Sequence, residues 1–136
     1  MARVYVERRD LPAHLLQLLD ESRSAAECTP PMDVLETATG LDVCLDVPGV
    51  AAAEIDILFT DGVLLLAGQK RPARCEHGDA RFHVAERAFG RFARALRVEG
   101  AFDVSRAAAT LTNGQLRVVL PRIEERRGAH LRIAIR

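Results

Sequence analysis

The sequence carries no excess of charge: 19 Lys and Arg residues are matched by 19 Asp and Glu. Without a basic surface to neutralise phosphates, nucleic acid is not an expected partner. The same balance removes a defence against self-association, because weakly charged proteins repel one another little. Cysteine is scarce, and Cys28, Cys44 and Cys75 form an odd set with no CxxC pair. That pattern is no disulfide framework, and a reducing cytoplasm is the expected compartment. Long apolar runs are missing too. No stretch approaches the ~20 apolar residues of a membrane helix, so no membrane span is expected. Residues 1–10 place charges where a secretory leader needs an apolar run. Tryptophan is absent and all five phenylalanines lie between Phe59 and Phe102, which leaves Tyr5 as the only aromatic residue before Pro30. The patterns GxxxxGK[ST], HExxH and GxSxG do not occur. With no phosphate loop, zinc-protease helix or nucleophile elbow, neither an enzyme nor a cofactor is expected.

What is present is enough for one domain. A chain of 136 residues buries roughly two-thirds of the surface its unfolded form exposes. Asp10-Leu11-Pro12 reads as a helix start, with Asp10 near the cap and Pro12 in the first turn. Leu11, Leu15, Leu18 and Leu19 follow at spacings that share one helical face. Thr29-Pro30-Pro31 cannot continue a helix and marks a linker.

From Met32 the period changes. Leu41, Val43, Leu45 and Val47 alternate with polar or small residues, as in a half-buried strand, until Pro48-Gly49 stops the run. Ile55, Ile57 and Phe59 alternate next, and Asp61-Gly62 is a hairpin turn signal. Val63 to Ala67 is wholly apolar, which reads as a strand covered on both faces. Gln69 to Asp79 is a long polar loop, with a short strand expected at its far end, Arg81 to Glu86. Arg91 to Val98 alternates again, with Arg94 on the same parity as Phe92 and Leu96. Ala107 to Thr112 and Gln115 to Leu120 flank Asn113-Gly114, whose residues tolerate positive φ and so favour a tight hairpin. Seven or so short strands with turns between them predict an antiparallel β-sandwich.

Several segments resemble the α-crystallin domain of small heat-shock proteins in order and spacing. They are Asp33-Val34-Leu35-Glu36-Thr37, Val47-Pro48-Gly49-Val50, Glu54-Ile55, Leu66-Ala67-Gly68 and the run from Glu86 to Arg94 that includes Phe89-Gly90-Arg91-Phe92. The run from Ala109 to Leu116, then Leu120-Pro121, closes the domain. Ile133-Ala134-Ile135 is similar to the family's C-terminal I-x-I motif. The resemblance implies an all-β, immunoglobulin-like sandwich over residues 31–122. A short helical N-terminal arm, 1–30, would precede it and a flexible extension, 123–136, would follow. It implies an ATP-independent chaperone, a holdase that binds unfolding client proteins and assembles with copies of itself. The arm is short and poor in aromatic residues for the family, and Val98-Glu99 stands where Leu-Pro often follows the arginine-rich strand.

The resemblance also assigns surfaces. Ile133 and Ile135 would enter a neighbour's groove formed by Ile57, Phe59, Ala109 and Leu111, linking dimers into larger oligomers. Arg81, Phe82, His83, Val84 and Glu86 would pair with a partner's sheet, covering an edge that is otherwise sticky. Arg94 would stand at the dimer interface against carboxylates, because a half-buried arginine needs a partner. By their helical spacing, and not by the resemblance, Leu11, Leu15, Leu18 and Leu19 are expected to bind clients or other arms, with packing on their own domain as the alternative, since so short an apolar stripe is not a stable helix alone. Cys75, His77, Asp79 and His83 lack the second half of a zinc site, so no metal is expected. The competing expectation is a co-chaperone or adaptor sandwich that binds one specific partner without holdase activity. The I-x-I tail speaks against it.

Overall fold

A computed structural model describes residues 3–5, 27–72 and 76–123. Eight strands form two antiparallel sheets. They are β1 (Arg3–Tyr5), β2 (Met32–Glu36), β3 (Gly40–Asp46), β4 (Ile55–Thr60), β5 (Val63–Lys70), β6 (Gly90–Glu99), β7 (Ala108–Thr112) and β8 (Gln115–Pro121). One sheet has the order β1-β6-β5-β4 and the other β2-β3-β8-β7. The antiparallel β-sandwich expected from the alternating runs, and the immunoglobulin-like form of it that the resemblance implies, are therefore present.

The hairpins form where the turn chemistry directs them. Asp61 and Gly62 have φ of 50° and 78°, and Asn113 and Gly114 have 52° and 76°. Two consecutive positive φ values define the turn whose twist matches its flanking strands. Gly114 is also needed for space, since a Cβ there would lie 2.9 Å from the Cα of Pro48. At Gly68 a Cβ would meet the Phe92 ring at 2.6 Å and the Glu54 carbonyl oxygen at 2.7 Å. That glycine lets the Phe92 ring lie against the β5 backbone.

Alternation puts the core where it is expected. Leu41, Val43 and Leu45 of β3, beside Leu120, Val118 and Leu116 of β8 in the same sheet, pack in one core with Leu64 and Leu66 of β5 and Phe92, Leu96 and Val98 of β6 in the other. Each such side chain, fully buried, contributes about 1.5–3 kcal/mol. No polar or charged residue is buried among the described residues.

Two features differ from the sequence reading. β1 lies within the segment read as an arm, yet it pairs with β6 through Arg3↔Glu99, Val4↔Val98 and Tyr5↔Arg97. Arg81 to Glu86 belongs to no strand of this chain, and all of its residues are exposed. A strand needs a neighbouring edge for its backbone groups, and among the described residues this segment pairs with none. The expected helix at Leu11–Leu19, and the tail with Ile133 and Ile135, lie outside the described residues.

Candidate functional site

Among the described residues, each sheet ends in strands whose outer edge is open. β4 and β7 bound the sandwich on one flank, and β1 and β2 on the other. On the first flank the two sheets leave a groove of about 120 Å³, lined by Ala52, Ile55 and Ile57 on one side and by Ala109, Thr110, Leu111 and Leu116 on the other. A cavity near 150 Å³ accepts a benzene ring, so this groove takes about one aliphatic side chain. Ile57 is 38% exposed there because β4 has no neighbour beyond it. The fold thus brings together Ile57, Ala109 and Leu111 of the four expected groove residues. Phe59 shares their inward parity but is packed against the core cluster and does not line the groove. Ile55 and Leu116, which the sequence reading left out, were recoverable from it. Ile55 has the parity of Ile57, and Leu116 is the cross-strand partner of Leu111.

The opposite flank presents the outer edge of β2. There Leu35 points away from the core and is 60% exposed. Of the segment expected to pair with a partner, Phe82 is 87% and Val84 71% exposed. Arg81, His83 and Glu86 are exposed as well. Arg94 lies on the inner face of β6, half-buried, and its guanidinium donates to the carbonyl oxygen of Pro30 at 3.2 Å. Pro30 stands just before β2, so Arg94 ties the start of that edge strand to the opposite sheet. The carboxylates expected to meet Arg94 belong to a partner chain, across the dimer boundary.

Ion pairs hold the outer surfaces. Arg117 of β8 pairs with Asp42 of β3, and that bond raises the guanidinium pKa above its ordinary value. Arg122 pairs with Glu36 at 2.9 Å and also donates to the Thr37 carbonyl oxygen. These contacts pin the end of β8 to the β2–β3 turn, from which the tail departs. No cluster of three potential metal ligands occurs among the described residues. No helix among them is long and apolar enough to cross a membrane.

The packed sandwich thus carries an apolar groove on one flank and exposed apolar side chains elsewhere on its surface. Its likeness to known proteins is specific. The model of the Hsp20/alpha crystallin family fits residues 33–136. Heat shock protein 16 of Schizosaccharomyces pombe is 30% identical over 102 residues, covering 73% of this chain and 70% of that protein. The 21.9 kDa heat shock protein of Oryza sativa is 35% identical over 117 residues, covering 80% of this chain and 57% of that longer protein. Among solved structures, Heat shock protein 16.0 from S. pombe superposes with a TM-score of 0.67 at 30% identity, over 81% of this chain and 100% of that one. A small heat-shock protein from Xylella fastidiosa, described as having a distinct high order structure, shares the fold with a TM-score of 0.69 at 21% identity, over 81% of this chain and 100% of that one.

The chain belongs to the Hsp20/alpha crystallin family. It is a family of small heat-shock proteins, stress-response chaperones that act without ATP and are not enzymes.

Proposed function

We propose that this protein is a holdase: it captures apolar segments of unfolding proteins and so lowers the free concentration that drives aggregation. The observation that carries this reading is the apolar surface left open on a fully packed fold. The groove between β4 and β7 lies on one flank, Leu35 is exposed on the other, and Phe82 and Val84 are exposed in the loop before β6. Exposed apolar patches on a stable domain mark surfaces that other chains cover.

In this reading the apolar face formed by Leu11, Leu15, Leu18 and Leu19 meets clients. Arg81 to Glu86 adds a strand to the open β2 edge of a partner, making a homodimer. Phe82 and Val84 then cross the partner's Leu35, and Arg94 positions that edge through Pro30. Ile133 and Ile135 enter the β4–β7 groove of a further copy and join dimers into larger assemblies. The domain proper is 31–122, with the arm before it and the extension after it. The compartment is the cytoplasm, which suits the free thiols of Cys28 and Cys44.

The test is light scattering of a heat-labile client, heated with and without this protein. Scattering should fall to near baseline at about one chain per client and be unchanged by ATP. Full scattering at a several-fold excess of this protein, together with a monomeric elution volume, would overturn the holdase and favour an adaptor for one specific partner.

A further inference from the structure

The face of the β1-β6-β5-β4 sheet turned away from the core carries a second, separate apolar cluster. Val63 and Ala93 are its buried members, 2% and 8% exposed, with Leu65, Ala67 and Ala95 packed against them. Cross-strand register sets them in rows, Ala67 opposite Ala93 and Leu65 opposite Ala95. The only sheet stacked on this one among the described residues lies on its other face. The loop residues 76–88 are exposed throughout, so they do not supply a cover either. Among the described residues, then, this apolar face has no partner element. At the β4 margin of the same face Leu58 is 46% exposed, so its least exposed part lies over β5 and β6.

The chain path brings one segment to that place. β1 runs antiparallel to β6, from Glu99 toward Arg97, so the chain leaves Tyr5 heading along β6 toward Ala95 and Ala93. It returns at Glu27, whose N–H donates to the Arg91 carbonyl oxygen at 2.7 Å. Residues 6–26 thus begin and end on β6, with Ala93 and Ala95 between the two anchors. The anchors are separated by about 20 Å of strand. Leu11 to Leu19 in helical form spans about 13 Å, which leaves chain at both ends for connections.

We propose that the face formed by Val63, Leu65, Ala67, Ala93 and Ala95 is a docking surface for the Leu11, Leu15, Leu18 and Leu19 stripe of the same chain. Three alanines make the middle of the face shallow, so a helix backbone can approach closely while leucines fill the spaces beside them. Both ends of the segment are already held, so the stripe has a high effective concentration over this face and pays little entropy to dock. The docking stands whether or not the protein is a holdase. Only its consequence, that clients compete with this face for the stripe, rests on that reading.

The experiment replaces Leu15 with the photo-crosslinker benzoylphenylalanine in the full chain and maps adducts by mass spectrometry, using a mixture of isotopically light and heavy protein. Adducts within one chain, to peptides holding residues 63–67 or 93–97, are expected. Adducts to the β4–β7 groove, or between light and heavy chains, would overturn the proposal. Hydrogen exchange supplies the second measurement. Ala95→Glu places a charge beneath the stripe, and amides of residues 11–19 should then exchange at least about tenfold faster while those of β3 and β8 keep their rates. Unchanged exchange in residues 11–19 would equally overturn it. Neither readout depends on chaperone activity, so a chain that fails to hold clients can still pass both.

Discussion

The Cys28 thiol lies 3.5 Å from the carbonyl oxygen of Gly90 and packs against the core cluster. Burial pushes its pKa above the ordinary thiol value; Lys70 opposes the shift and Glu27 adds to it. The sign of the linkage follows. The folded state holds the proton more tightly than the unfolded one, so the stabilisation is complete below the unfolded value near 9.0. It is lost as pH rises through the folded value. Two outcomes are expected. At pH 8, iodoacetamide should modify Cys28 several-fold more slowly than a free cysteine, because the thiolate is the nucleophile. The urea midpoint of the parent should also fall between pH 8 and 10 more than that of Cys28→Ala. Alkylation of Cys28 at the free-cysteine rate, followed by peptide mapping, would refute the first.

At the scale of elements, the loop before β6 is the test of dimer formation. Phe82 and Val84 alternate like a strand and are exposed like a loop, as a segment does when its edge belongs to another chain. Deleting Arg71 to Asp79 should leave the sandwich folded, with an unchanged far-ultraviolet spectrum, and weaken the dimer at least tenfold in sedimentation equilibrium. A deletion variant that still dimerises at nanomolar concentration would exclude strand exchange here. The same segment marks the limit of what the sequence makes legible. The hairpins at Asp61-Gly62 and Asn113-Gly114 are readable because positive φ restricts which residues can stand there. The inner faces of β3, β6 and β8 are readable because a period of two needs no knowledge of the partner. Parity gives the face but not which stretch of it lines the groove, which is why Phe59, inward like Ile57, stands outside it. A three-residue strand such as β1 is too short to show any period, so its pairing with β6 is invisible in the sequence. Arg94 was legible as half-buried, but not its bond to Pro30, which joins residues far apart in the chain.

For the whole molecule, the size of the assembly is the test of the proposed tail contact. Replacing Ile133 and Ile135 together with Gly should shift the sedimentation profile toward dimers without unfolding the domain, and each single replacement should have an intermediate effect. Two buried isoleucines amount to a few kcal/mol per link before ordering costs. Links of that strength hold in number and release singly. If the double variant sediments like the parent while removal of residues up to Thr29 dissociates it, the arm and not the tail joins the dimers. The placement of the two open flanks has a consequence for the kind of assembly that results. The groove and the β2 edge lie on opposite sides of one rigid sandwich, so neither site obstructs the other. Counted as a polymer chemist counts functional groups, each chain carries, in the proposed reading, two complementary donor–acceptor couples. A monomer of that type does not stop at pairs: it grows until geometry closes a shell or a supply of competing end groups caps the open grooves. Every unfilled groove is then a vacant valence, and the size distribution, like that of a step-growth polymer, responds to concentration, temperature and any apolar peptide able to act as a chain stopper.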